Sequence, residues 1–313
     1  MAQAQQAVRA LTYVQAVNEA LRQELERDPT VFIMGEDIAA RGGVFLATDG
    51  FLEEFGEQRV IDTPLAESAI AGIALGAAMH GMRPIAEIQF GDFIWPVFNQ
   101  IVGEAARVRY GTKGKLNVPM VLRTPHGGGV RGALYHSQSM EAYFYHTPGL
   151  KVIAPATPYD AKGLLKSAIR DDDPVIFLEH KRTYRLVQGE VPDEEYTVPI
   201  GKADVKRQGT DITIVTYGLM VHHCLEAAQE LEGEGISCEV VDVRTLRPLD
   251  KETILESVVK TGEALIVHED NKFGGVGGEI AATISEEAFE SLGGPVTRLA
   301  GPEVPAMPYS PPM

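Results

Sequence analysis

Glu67 is the residue whose type and placement most plainly ask for chemistry. It stands in "VIDTPLAESAIAGIALGAAMHG", Val60 to Gly81, a carboxylate at the entrance to a run of Ala, Ile, Leu and Gly. Thr63 suits a helix cap and Pro64 a first helical position, so a helix is expected over Glu67–Met79. An acid in a first turn gains about 0.3–1 kcal/mol from the helix dipole, which requires no function. With Thr63 as cap, however, Glu67 lies one position beyond the capping-box residue and would not fold back onto it. Gly72 and Gly76 behind it cost a helix about 1 kcal/mol each against alanine. Such glycines are tolerated where another backbone packs very close. Together these features point to an interface holding a buried functional carboxylate.

His136 is the second candidate. It lies in "ALYHSQS", a polar loop near Arg131, Ser137 and Gln138. A lone histidine is usually structural, but loops of this kind commonly carry function. Just before it, "HGGGVRG" (His126–Gly132) could cradle a phosphate, yet it has no lysine-serine tail. It reads better as a flexible loop that orders beside a site. "GGVGGE" at Gly274–Glu279 fails the dinucleotide spacing because position 280 is Ile, and no strand with an acid follows at the required distance. "VHHC" at Val221–Cys224 reads as a helix face rather than a metal site.

The elements that must hold these residues alternate. "LTYVQAVNEALRQELERDPT" is an amphipathic helix ended by Asp28-Pro29, and "VFIMGED" contains a buried strand, Val31–Met34. Further strands are expected at Ile85–Gln89, Pro119–Arg123, Lys151–Ala154 and Val175–Glu179, with helices at Glu67–Met79, Trp95–Arg109 and Tyr159–Ile169. This alternation argues for a parallel sheet covered on both faces. A polar, Pro-containing stretch from Arg185 reads as a linker, after which the alternation restarts: strands Ile212–Thr216, Ser237–Val243, Ala264–His268 and Val296–Ala300, helices Leu219–Leu231 and Gly278–Phe289. The expectation is an α/β fold: a parallel-sheet domain over 1–185, a linker over 186–200 and a smaller α/β domain over 201–313. The Pro-rich end, "PEVPAMPYSPPM", suggests a domain cut short.

Composition bounds the function. The 313 residues are 44% hydrophobic, with a mean hydropathy of −0.05, as in an ordinary globular protein. No window approaches the roughly 18 apolar residues of a membrane span, and no signal peptide opens the chain. A net charge of −16 disfavours nucleic acid and anionic membranes while remaining compatible with a basic protein partner. Cys224 and Cys238 fit a reducing cytoplasm, or the mitochondrial matrix if the source is eukaryotic.

Glu67, four residues, then "GIALGA" resembles the E-x4-G-φ-x-x-G-φ signature of thiamine-diphosphate enzymes. The surrounding "RVIDTPLAESAIAGIALGAAMHGMRPIAEIQF" looks like the beta subunit of the decarboxylase component of 2-oxo acid dehydrogenase complexes. The likeness continues through "DFIWPVFNQI", "GALYHSQS", "TPYDAKGLLKSAIRDDDPVIFLEHKR" and "VVDVRTLRPLD", from Thr12 to the Pro-rich end, although the family's usual C-terminal helical segment is absent. It implies a pyrimidine-binding domain of the thiamine-diphosphate fold followed by a transketolase C-terminal-like domain. It also implies roles. Glu67 would hydrogen-bond a ring nitrogen of the cofactor's aminopyrimidine, favouring the imino tautomer that takes the thiazolium proton, a task suited to a dry, preorganised carboxylate. A 2-oxo acid then loses carbon dioxide, and the remainder passes to a lipoyl group. Gln89 matches a residue lining the cofactor pocket. Phe93 falls where many branched-chain members have Tyr, keeping a ring against the pyrimidine but losing the hydroxyl. His136 matches an active-site histidine assisting proton transfer or reductive acylation. Several members hold a structural potassium ion; the matching positions are Met120, Ala168, Ile169, Asp171 and Asp173, where "RDDDP" reads equally well as a solvated turn.

The chain has no Gly-Asp-Gly, the superfamily's magnesium motif. The resemblance therefore implies that an alpha subunit supplies the magnesium and diphosphate half, in a heterotetramer of two alpha and two beta chains. It further implies docking of the second domain onto a lipoylated dihydrolipoyl acyltransferase core. "IQFGDFIWPVFNQI" and "GALYHSQS" look closest to branched-chain members, which favours 2-oxoisovalerate and its relatives over pyruvate or acetoin. The rival readings are a non-catalytic docking or assembly subunit and a single-chain transketolase-like enzyme, which the missing Gly-Asp-Gly argues against.

Overall fold

The computed structural model describes residues 8–313. Its first strand, β1 (Val8–Thr12), leads into α1 (Tyr13–Arg27). The cap of α1 is reciprocal: Thr12 Oγ1 accepts from the Gln15 N–H at 3.3 Å, and Gln15 Oε1 accepts from the Thr12 N–H at 2.8 Å. Its buried Tyr13, Ala16, Val17, Ala20 and Leu21 recur at three- and four-residue spacing on one face. β2 (Val31–Gly35) is buried at every position. After α2 (Phe51–Phe55) and β3 (Val60–Asp62), α3 runs over Glu67–Met79, the bounds the sequence suggests.

The start of α3 corrects the sequence reading. Its N-cap is Ala66, with no side-chain cap bond, and Thr63 lies outside the helix. Pro64 disfavours helical backbone at the residue before it, and the Thr63 N–H instead donates to the Gly35 carbonyl at 2.9 Å, prolonging the β2–β3 pairing. Glu67 is thus the first helical residue. The two glycines also differ from expectation. A Cβ on Gly72 would make an ordinary 3.6 Å contact with Gln100, and one on Gly76 would meet nothing within 4 Å. No backbone of the described residues packs close on them. α3 buries Ile70, Ala71, Ala74 and Ala78 but leaves Ile73 58% exposed.

β4 (Arg83–Glu87) follows. After a 3₁₀ turn at Gly91–Phe93, the single helix expected over Trp95–Arg109 is broken into a 3₁₀ turn at Trp95–Val97, a π-helical stretch at Asn99–Ala105, and α4 (Ala106–Gly111). Pro96 denies that segment a backbone donor near its start. Then come β5 (Val121–His126), α5 (Glu141–Tyr145), β6 (Lys151–Ile153), α6 (Pro158–Arg170) and β7 (Val175–His180). α7 (Thr183–Leu186) runs into the stretch read as a linker, which contains β8 (Gln188–Pro192), paired antiparallel with β1. The second unit comprises β9 (Asp204–Arg207), β10 (Ile212–Thr216), α8 (Met220–Glu232), β11 (Cys238–Asp242), β12 (Thr245–Arg247), α9 (Lys251–Thr261), β13 (Ala264–Asn271), α10 (Val276–Glu287) and β14 (Thr297–Gly301).

Besides the two-stranded β1-β8 pair, two larger sheets organise these elements. The first, of seven strands, has the order β12-β6-β7-β5-β4-β2-β3 and is parallel except for β12; the second, of five, has the order β14-β13-β10-β11-β9 with β9 antiparallel. The Val- and Ile-rich central strands are buried on both faces, as parallel sheets covered by helices require. β12 comes from the second unit yet closes an edge of the first sheet, pairing Thr245 with Ile153. The core is likewise shared: Phe144, Val152 and Ile176 belong to the same apolar cluster as Tyr217, Val243 and Ile266. Among the described residues no helix is long and apolar enough to cross a membrane.

Candidate active site at the carboxyl edge of the parallel sheet

Because β2, β3, β4, β5 and β7 run parallel, the residues that follow them emerge on one edge. Glu36 follows β2, Glu67 follows β3, Gln89 follows β4, and His126 and His180 end β5 and β7. This carboxyl edge is where open α/β sheets hold ligands.

Glu67 is half-buried at the first turn of α3, and no hydrogen bond from the described residues engages its carboxylate. Facing it electrostatically is Glu36, a carboxyl that sequence reasoning did not single out. Glu36 is 8% exposed and its Oε1 has no partner among the described residues. Burial, then the charges of Glu67 and Asp37, raise its pKa above the ordinary range. The signal was present in "MGED", an acid directly after a buried strand.

Gln89 and Phe93 are half-buried. Phe93 belongs to an aromatic corner that holds the His136 ring: Phe90 meets His136 edge-on with centroids 4.4 Å apart, and Phe93 meets it at 5.5 Å. Phe90 and Phe93 are themselves edge-to-face at 6.0 Å. The structure thus brings Phe93 and His136 together, and the imidazole Nδ1 is buried with no partner among the described residues.

Beneath the edge lies a buried ion cluster. Arg123, 1% exposed, bonds Glu87 Oε2 at 2.7 Å and both Glu179 oxygens at 2.7 and 2.8 Å, while the Tyr184 hydroxyl donates to Glu179. Burial opposes the guanidinium's charge, but the two carboxylates outweigh it and raise the Arg123 pKa. A second polar group gathers where the two units meet. Lys181 is 3% exposed with no hydrogen-bond partner among the described residues; burial pushes its pKa down to about 8, against the pull of Asp92 and Glu269. His126 is also buried, with no hydrogen bond among the described residues and its Nδ1 3.8 Å from Glu141 Oε2; burial, then His180 and Lys181, lower its pKa well below the ordinary value.

Met120, Ala168, Ile169, Asp171 and Asp173 converge at the opposite, amino edge of the sheet, but around protein cations. Arg83 Nη1 donates to the Ile169 and Asp171 carbonyls at 3.0 and 2.9 Å. Lys151 Nζ takes both Asp171 carboxylate oxygens at 2.7 and 2.6 Å, and Arg109 and Lys151 pair with Asp173 at 2.5 and 3.3 Å. The Met120 and Ala168 carbonyls accept from the Val175 and Asp171 N–H groups. These oxygens are already served by two guanidinium groups, an ammonium and two amides, so the residues do not fit the potassium ion that the sequence suggested.

Two family models match the chain: the transketolase pyrimidine binding domain over residues 9–187 and the transketolase C-terminal domain over residues 201–313. The 2-oxoisovalerate dehydrogenase subunit beta of Bacillus subtilis (strain 168) is 60% identical over 97% of this chain and 93% of its own length. The chain is a member of the 2-oxo acid dehydrogenase beta-subunit family. As in that family, its fold is an α/β thiamine-diphosphate fold with transketolase-like halves. The pyruvate dehydrogenase E1 component subunit beta of the same strain is 52% identical over 96% of this chain and 92% of its own length. A solved structure entitled split gene transketolase, inactive beta4 tetramer, superposes with a TM-score of 0.75 at 26% identity, covering 94% of this chain and 90% of that one.

Proposed function

We propose that this chain, joined to an alpha subunit, oxidatively decarboxylates branched-chain 2-oxo acids and acylates the lipoyl group of an acyltransferase core. The observation that carries the reading is Glu67: an unpaired carboxylate on the first turn of a helix that lies open at Gly76. A carboxylate so placed can accept a hydrogen bond from a protonated ring nitrogen, and the orphaned Oε1 of Glu36 and Nδ1 of His136 leave further polar positions for a ligand. Thiamine diphosphate, when bound, supplies the carbon nucleophile and the electron sink for loss of carbon dioxide. Glu67 would hold the proton on its pyrimidine, Gln89 would line the ring and Phe93 would pack on it. His136, fixed by Phe90 and Phe93, would hand a proton to the lipoyl sulfur during acyl transfer.

The open space at Gly76 supports a close-packed alpha subunit there, bringing the diphosphate and magnesium half, in a tetramer of two alpha and two beta chains. The buried free thiols Cys224 and Cys238 suit a reducing compartment such as the cytoplasm. The branched-chain preference rests on 60% identity with the 2-oxoisovalerate relative against 52% with the pyruvate one. Co-expression with the alpha subunit tests it by comparing branched 2-oxo acids with pyruvate. Equal or faster turnover of pyruvate overturns the preference. Glu67→Gln separates catalysis from docking: decarboxylation should fall about 10²- to 10⁴-fold, the usual worth of a positioned acid–base group, with assembly intact. Near-normal decarboxylation would instead favour a docking subunit.

A further inference from the structure

The glycine-rich loop that carries His136 has little structure of its own. Gly127, Gly129, Arg131 and Ala133 all have positive φ, at 84°, 83°, 60° and 63°, so no regular ladder fixes the segment. It closes on itself through the Gly127 N–H, which donates to the Gln138 carbonyl at 2.8 Å. Its position is set from outside, by Phe90, Phe93 and His180 of the first unit and by contacts from the second.

Glu269, near the end of β13, reaches across the junction. One carboxylate oxygen accepts from the Gly128 N–H and the other from His180 Nε2 at 2.8 Å. The His180 tautomer follows from the neighbouring bond: its Nδ1 accepts from the Arg182 N–H at 3.2 Å, so Nε2 carries the proton. The His180 ring then abuts the loop so closely that a Cβ on Gly127 would lie 2.1 Å from Nε2. At the far end of the loop, a Cβ on Gly132 would lie 2.5 Å from the Cβ of His136. The C-terminal segment adds a second hold, because the Pro305 carbonyl accepts from Gln138 Nε2 at 3.1 Å and Met307 packs on Gly128.

We propose that Glu269 is a positioning residue for acyl transfer: by gripping Gly128 and His180 from the second unit, it fixes the loop that presents His136. This rests on the reading of His136 given above, and the test separates the two. In the reconstituted enzyme, Glu269→Ala and the isosteric Glu269→Gln are compared with the parent and with His136→Ala. Folding and assembly are checked by melting and size. Glu269→Ala should speed amide exchange in the peptide spanning residues 127–139 about tenfold, as loss of a buried, charge-assisted hydrogen bond implies. Acylation of a lipoyl domain should fall about 10- to 100-fold, as expected when a reacting group is misplaced by about 1 Å, with dye-coupled decarboxylation retained. Glu269→Gln, which keeps one acceptor oxygen for two donors, should fall between Ala and the parent. His136→Ala should lose acylation while the Gly127 and Gly128 amides, held by Gln138 and Glu269, keep their protection. Unchanged loop protection in Glu269→Ala overturns the proposal; intact acylation in His136→Ala overturns the role of His136 while leaving the loop measurement decisive.

Discussion

Tyr217 donates its hydroxyl to Glu141 Oε1 at 3.0 Å across the junction of the two units, and both groups are buried. Burial, then the charge of Asp270, pushes the Glu141 carboxyl up to about 8, against the lowering effect of the Tyr217 bond. The folded chain therefore holds a proton that the unfolded chain releases near 4.5. Stability from this group is fully present below that value and declines as pH rises towards 8. Asp242, raised to about 8 by burial and Asp160, acts in the same direction. Melting temperature should fall between about pH 6.5 and pH 8, above the range in which the lowered pKa values of His126 and His268 act in the opposite direction. Glu141→Gln should flatten that slope in part, and an unchanged slope would remove Glu141 from the account.

The open side of α3 yields a two-part expectation at Gly76. Nothing within 4 Å obstructs a Cβ there, so Gly76→Ala should stabilise the isolated chain by about 0.5–1 kcal/mol, measured by urea unfolding. In the presence of the alpha subunit, the bulkier Gly76→Leu should weaken co-purification. Undiminished assembly would place the partner elsewhere.

Arg123 neutralises Glu87 and Glu179 within the sheet. Arg123→Met strands two buried carboxylates and should destabilise the protein by about 3–5 kcal/mol, read from denaturant midpoints. A small loss would mean that the carboxyls protonate and tolerate one another.

At the amino edge, Arg83, Arg109 and Lys151 already serve the oxygens of Ile169, Asp171 and Asp173. Exchanging potassium for sodium at constant ionic strength should leave the melting temperature unchanged, whereas Lys151→Met should lower it. A potassium-specific rise in the parent protein would restore the metal reading.

Local pattern carried far in this chain. The bounds of α3, the amphipathic face of α1 and the strands with several adjacent β-branched residues were legible because short-range periodicity and punctuation encode them. The motif around Glu67 likewise pointed to the beta-subunit family before any geometry was known. Long-range pairing was the harder part. β1 and β8 recognise each other 176 residues apart at Thr12↔Gln188 and at nearby positions, and nothing in either segment names its partner. Glu269 reaches Gly128 across 141 residues, so its part at the His136 loop emerges only from the fold. Thr63 misled for a different reason: its side chain suits a cap, but the proline after it keeps the backbone extended.

The antiparallel strand Thr245–Arg247 has a consequence for biogenesis. The outer edge of the first sheet is completed by residues that leave the ribosome well after the rest of that sheet. Until then the Lys151–Ile153 strand is an unpaired edge, open to pairing with neighbouring chains. A nascent chain stalled before residue 245 should therefore be a preferred client of chaperones, and the completed second half acts as the cover that ends that vulnerability.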